Sequence, residues 1–126
     1  MSPWRGKKVV IMGLGLHGGG VAAARWFARA GARVVVTDLK RAADLRPSVK
    51  ILAPYKKRIT FVLGRHRMSD FQVTDLIVQN PGVPRESPYL ATARRCRIPI
   101  ENEASLFVRQ IGPARIVGIT GTRGKS

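Results

Sequence analysis

Lys8-Val9-Val10-Ile11-Met12-Gly13-Leu14-Gly15-Leu16-His17-Gly18 is the stretch on which the fold turns. Its first five residues form a largely β-branched apolar run, the composition of a strand covered on both faces. The run breaks into a complete G-x-G-x-x-G. Val21, Ala24, Phe27 and Ala28 then recur at helical spacing, with Arg25 and Arg29 on the opposite side. Gly31 supplies a helix stop, and Arg33 to Thr37 forms a second strand run closed by Asp38, 20 residues beyond Gly18. Glycines at Gly13, Gly15 and Gly18 let phosphates approach backbone N–H groups at a helix N-terminus. A carboxylate ending the next strand accepts hydrogen bonds from ribose hydroxyls. The pattern points to a nucleoside diphosphate and does not single out NAD. The bland alternative is a tight strand–helix turn whose aspartate only terminates a strand.

Outward from this unit the chain keeps alternating. Thr60 to Leu63 and Leu76 to Val78 read as strands, Ser87-Pro88 as an N-cap with proline at the first helical position, and the helix so opened runs to about Arg95. Ile98 to Ile100 is a short strand, Glu103 to Gln110 a helix and Arg115 to Thr120 a last strand. Pro47 and Pro54 confine the helix between them to Ser48–Ala53. This alternation predicts an α/β fold, Rossmann-like, with a mostly parallel sheet and helices on both faces.

In such sheets the ligand lies outside the carboxyl ends of the strands, so the residues after each strand are the candidates. After Leu76 to Val78 come Gln79-Asn80-Pro81-Gly82-Val83-Pro84. This segment is either a rigid turn that brings the Gly82 backbone and the Asn80 side chain against the same ligand, or an ordinary type II Pro-Gly turn. His17, inside the glycine loop, is placed to face a phosphate. His66, between Arg65 and Arg67, reads as a solvated loop residue. No histidine–cysteine cluster suggests zinc, and no serine or cysteine stands beside a base in a nucleophile motif.

The last nine residues, Gly118-Ile119-Thr120-Gly121-Thr122-Arg123-Gly124-Lys125-Ser126, read as a buried strand entering a phosphate loop. In such loops glycines admit backbone N–H groups to the phosphates, lysine reaches the outer ones and the hydroxyl ligates Mg²⁺. The chain is therefore expected to be the front part of an ATP-using enzyme. Residues 1–102 would be a nucleotide-binding domain, and residues 103–126 the start of a truncated P-loop ATPase domain, represented by its first helix and strand.

Composition frames these readings. At 126 residues and 44% hydrophobic content the chain can bury one core. Its single cysteine, Cys96, cannot form an internal disulfide, which suits a reducing compartment. No run approaches the roughly 20 apolar residues of a membrane span. Arg5, Lys7 and Lys8 ahead of an apolar stretch, with Val21-Ala22-Ala23-Ala24 behind it, imitate a signal peptide, but glycines and His17 interrupt the stretch. A soluble, cytoplasmic protein without a membrane partner is expected. The net charge is +16, from 23 Lys and Arg against 7 Asp and Glu. Such a charge suits a polyanion partner, yet no helix-turn-helix, zinc set or aromatic RNA signature accompanies it. Solvated helix faces account for it better, and no nucleic-acid partner is expected.

Taken in order, Gly-Leu-Gly-Leu-x-Gly, Asp38, Asn80-Pro81-Gly82-Val83, Glu103-Ala104-Ser105-Leu106-Phe107 and Gly-Ile-Thr-Gly-Thr-x-Gly-Lys-Ser resemble the Mur ligases of peptidoglycan synthesis. The likeness is closest to the branch that adds D-glutamate, and it runs from about Gly6 to Ser126. It implies a UDP-binding domain without a nicotinamide cofactor. Gly13, Gly15, Leu16, His17 and Gly18 would face the diphosphate, Asp38, Leu39 and Lys40 would surround the uridine, and Asn80 and Gly82 would close the site. It further implies that Gly121, Thr122, Arg123, Gly124, Lys125 and Ser126 hold ATP, with Ser126 on Mg²⁺. The implied substrates are UDP-N-acetylmuramoyl-L-alanine, D-glutamate and ATP, joined through an acyl phosphate by a monomer. These residues alone would bind and not catalyse. Two positions depart from the family pattern: His17 replaces a small hydroxyl residue, and Arg123 an asparagine. The competing expectation is an NAD(P)-binding oxidoreductase or NAD-sensing domain.

Overall fold

The β-branched runs and amphipathic helices assemble into a five-stranded, all-parallel sheet. The computed structural model describes residues 3–15, 19–84 and 86–102. In chain order these contain β1 (Lys8–Met12), α1 (Gly19–Arg29), β2 (Arg33–Asp38), α2 (Arg46–Leu52), a 3₁₀ turn (Ala53–Tyr55), β3 (Ile59–Leu63), a second 3₁₀ turn (Met68–Phe71), β4 (Leu76–Gln79), α3 (Pro88–Arg95) and β5 (Ile100–Asn102). The spatial order is β3-β2-β1-β4-β5. Val10 pairs with Val35 on one side and Ile77 on the other, which makes β1 the centre of the sheet.

Side chains alternate across the pleat, and both faces are covered. Val9, Ile11, Val34, Val36 and Val78 pack with Ala24 and Phe27 of α1 and with Leu45 and Leu52 around α2. Val10, Met12, Val35, Val62 and Ile77 pack with Phe71, Leu90 and Ala93 on the other face. Double coverage explains why the strands read as unbroken apolar runs. The helices lie on both faces, as expected of this class.

Both α1 and α3 end in the same hydrogen-bonded device. At α1, Ala32 N–H donates to the Phe27 carbonyl and Gly31 N–H to Ala28, with Gly31 at φ +93°. At α3, Ile98 N–H donates to the Ala93 carbonyl and Arg97 N–H to Arg94, but here the left-handed residue is Arg97 at φ +59°. Both are Schellman caps, and only the first has the glycine that the conformation favours.

Three local expectations are corrected, and one element appears that no expectation covered. Ile98 is not a strand residue: it buries its side chain beside Ala93 and Leu90 as part of the α3 cap, and β5 begins two residues later, with Ile100 beside Ile77. Its apolar character reports packing, not pairing. The second helix starts at Arg46, ahead of Pro47, because proline is tolerated in a first turn whose N–H groups have no helical acceptor. Met68–Phe71, unmarked by any sequence signal, forms a 3₁₀ turn. Its Asp70 is buried in an ion pair with Lys8 (3.1 Å) and Arg67 (2.9 Å). His66, finally, is not a solvated loop residue. The expected Glu103–Gln110 helix and Arg115–Thr120 strand lie outside the described residues.

Candidate nucleotide crevice

Strand order reverses at β1, because the chain moves from β1 to β2 and β3 on one side and then crosses to β4 and β5 on the other. The loops that follow β1, β2 and β4 border a crevice there, the general ligand position in such sheets. A cavity of about 580 Å³ occupies it.

The glycine loop forms its floor. Gly13 and Gly15 both have positive φ, +92° and +66°. A Cβ on Gly13 would stand 2.7 Å from Asn80 Cβ and 2.9 Å from Val83 Cγ2, so glycine is required for the β1 and β4 loops to meet. Gly20, which the fingerprint does not count, is as constrained. A Cβ there would lie 2.5 Å from the Leu14 carbonyl oxygen, so its absence lets α1 start close against the loop.

Asp38 organises the loop from the end of β2. Its Oδ2 accepts from Leu14 N–H (2.8 Å) and Gly15 N–H (3.3 Å), and its Oδ1 from Lys40 N–H (2.9 Å). A carboxylate has about four lone-pair sites, so capacity remains toward the cavity that Asp38 lines. Gly13 N–H donates to the Thr37 carbonyl. The first three amides of the loop are thus engaged internally. Ser48, buried on α2, donates its hydroxyl to the Gly15 carbonyl at 2.7 Å and clamps the loop from the other side.

Asn80 ties the opposite wall to this floor. Its Nδ2 donates to the Gly13 carbonyl (3.2 Å), and its Oδ1 accepts from Gly82 N–H (2.9 Å). Val83 N–H closes the turn onto the Asn80 carbonyl at 2.9 Å, and Gly82 is absent from the positive-φ residues. The type II alternative is therefore wrong: Asn80 to Val83 is an Asx-stabilised turn of the type I kind, in which Asn80, not Gly82, is the determining residue.

Gly13, Gly15, Asp38, Leu39, Lys40, Asn80 and Gly82, all expected from sequence, line this one cavity. Leu39 is 66% exposed at its rim. Leu16, His17 and Gly18 lie outside the described residues, as do Gly121, Thr122, Arg123, Gly124, Lys125 and Ser126. Sequence reasoning missed His66 and Tyr89. His66 Nδ1 is 2.7 Å from Thr37 Oγ1, and its ring meets Phe71 and Tyr89 edge-on at 5.9 and 5.1 Å. Burial holds the His66 pKa below its ordinary value, against a smaller opposing pull from the Asp38 carboxylate. Among the described residues no cluster of His, Cys, Asp or Glu is disposed to hold a metal ion. No described helix is long and apolar enough to cross a membrane.

The sequence profile of the Mur ligase MurD-like N-terminal domain matches residues 7–102, the whole of this sheet and its crevice. The chain belongs to the Mur ligases, as a MurD-like N-terminal domain. This Mur ligase domain is 48% identical over 121 residues to the UDP-N-acetylmuramoylalanine–D-glutamate ligase of Roseiflexus sp. (strain RS-1), covering 96% of the chain and 25% of that protein. It is 47% identical over 123 residues to the ligase of the same name from Treponema pallidum (strain Nichols), covering 97% of the chain and 23% of that protein. The chain spans about a quarter of the length of these curated relatives. Among solved structures, UDP-N-acetylmuramate-alanine ligase MurC from Thermotoga maritima superposes with a TM-score of 0.63 at 25% identity, over 83% of this chain and 23% of that one. A pseudomurein peptide ligase type C from Methanothermus fervidus shares the fold, with a TM-score of 0.60 at 21% identity over 82% of this chain and 20% of that one.

Proposed function

We propose that the crevice holds the UDP moiety of UDP-N-acetylmuramoyl-L-alanine, and that the chain is the N-terminal part of a ligase adding D-glutamate to it. The observation that carries this reading is the convergence of Gly13, Gly15, Asp38, Asn80 and Gly82 on one cavity at the switch point of a MurD-like domain. Residues 1–102 form the UDP domain, and the ATP-binding domain begins near residue 103. Because the Gly13, Leu14 and Gly15 amides are engaged internally, the diphosphate is assigned to the backbone of Leu16 and His17, together with Gly18. Asp38, Leu39 and Lys40 surround the uridine, and Asn80 and Gly82 close the crevice.

The chemistry follows from the poor electrophilicity of a carboxylate. The L-alanyl carboxylate oxygen attacks the γ-phosphorus of ATP and ADP leaves, giving an acyl phosphate. The amine of D-glutamate then attacks the acyl carbon, phosphate departs, and the amine loses a proton. Gly121, Thr122, Arg123 and Gly124 would wrap the ATP phosphates and Lys125 would neutralise the outer ones. Mg²⁺, held through Ser126, would offset charge on the transferring phosphoryl group. Residues 1–126 by themselves bind and do not turn over, and the enzyme works as a cytoplasmic monomer.

The test is titration of the ¹⁵N-labelled chain with UDP-N-acetylmuramoyl-L-alanine and, separately, NADH. Saturable shifts at Gly15, Asp38 and Gly82 with the UDP compound alone are expected. The same shifts with NADH, and none with the UDP compound, would replace the ligase reading with the nicotinamide one.

A further inference from the structure

We infer that His66 is a ligand-contacting residue of the crevice, presenting a bare Nε2 as a hydrogen-bond acceptor to an uncharged donor, a hydroxyl or N–H, of the bound nucleotide sugar. The inference rests on the UDP reading above and goes beyond it, since no sequence pattern assigns His66 a role.

The tautomer follows from two contacts at Thr37. Thr37 Oγ1 lies 3.1 Å from the Arg65 carbonyl oxygen and 2.7 Å from His66 Nδ1. A carbonyl only accepts, so the single hydroxyl proton of Thr37 goes to Arg65. The short contact to Nδ1 then needs its proton from the imidazole. With Nδ1 protonated, a neutral ring carries its lone pair on Nε2. Thr37 is fully buried in β2, which fixes the partner, and the edge-on contacts with Phe71 and Tyr89 fix the ring plane. Nε2 has no hydrogen-bond partner among the described residues, and no described polar side-chain atom is both buried and unpaired. It is therefore open to the cavity that His66 lines.

The chemical class of its partner follows. A lone pair near the Asp38 carboxylate repels an anion and welcomes a donor, so the diphosphate lies away from this wall. Desolvation that favours the neutral ring supports the same polarity. His66 and Tyr89 thus line the cavity together, and they come from segments after β3 and after β4 that no local pattern links.

The experiment is a long-range ¹H–¹⁵N spectrum of the histidine rings, with the backbone amides followed in parallel, on the full chain with and without UDP-N-acetylmuramoyl-L-alanine. Near neutral pH, Nδ1 carries the proton in the free protein, and Nε2 moves toward hydrogen-bonded values as the amides of Gly15 and Gly82 saturate. The variant His66→Phe keeps the ring edges against Phe71 and Tyr89 and loses affinity by roughly tenfold, the worth of one good hydrogen bond. Amide saturation at Gly15 and Gly82 with Nε2 unmoved, or a proton found on Nε2 in the free protein, overturns the role of His66 and leaves the UDP reading standing. Absence of amide shifts as well sinks both.

Discussion

At the scale of single residues, Asp38 serves two ends that the fingerprint does not separate. It holds three backbone N–H groups of the chain, and it lines the cavity with lone pairs to spare. Asp38→Ala is expected to weaken the UDP ligand by about 1–3 kcal/mol and to lower stability by about 1 kcal/mol or more, because the partly buried Leu14 and Gly15 N–H groups lose their acceptor. Calorimetric titration beside a melting curve separates the two losses: unchanged affinity with lowered stability would leave Asp38 a purely structural anchor. His66 carries a pH dependence. Its folded pKa lies below the ordinary 6.5, so on acidification the unfolded chain takes the proton first. Stability contributed by the neutral ring is fully present above about pH 6.5 and is lost as the pH falls through that value toward the folded pKa. Asp38, which pulls the other way, limits the drop. Urea midpoints between about pH 8 and pH 5 should decline in the lower half of that range, and His66→Phe should flatten the decline. A wild-type curve already flat there would contradict the assigned protonation state.

At the scale of elements, strands and caps were legible wherever one physical cause dominated. The Lys8–Met12 run, the Gly31 stop and the Ser87-Pro88 start each state one local rule, and each is where it was expected. Legibility failed where a residue's character served packing. Ile98 is apolar because it seals the α3 cap, and Met68–Phe71 is held by an ion pair with Lys8, 62 residues away, which no window of sequence can reveal. The α3 cap offers a direct test, because Arg97 occupies a left-handed conformation that costs a side-chain-bearing residue about 1 kcal/mol. Arg97→Gly is expected to raise stability by about that amount, read as an increase in the denaturation midpoint. A decrease would mean that the arginine side chain contributes more than the strain it causes.

At the scale of the whole molecule, the sheet order makes the site. Half of the crevice was visible in advance, because the β1, β2 and β4 loops carry glycine, aspartate and asparagine signals whose chemistry is local. The other half, His66 and Tyr89, was invisible, since only the crossover from β3 to β4 and the seating of α3 bring those rings together. The long-range field of the excess basic residues, +16 overall, favours the approach of an anionic ligand.

Whether the MurD-like crevice at the β1 switch point receives a UDP-sugar is decided by a crystal structure of the chain with UDP-N-acetylmuramoyl-L-alanine. The diphosphate is expected over the turn that follows β1, with the nucleoside between Asp38 and Asn80 and a hydroxyl or N–H group facing His66. A ligand bound elsewhere, or a crevice filled by the chain's own side chains at saturating ligand, would contradict it.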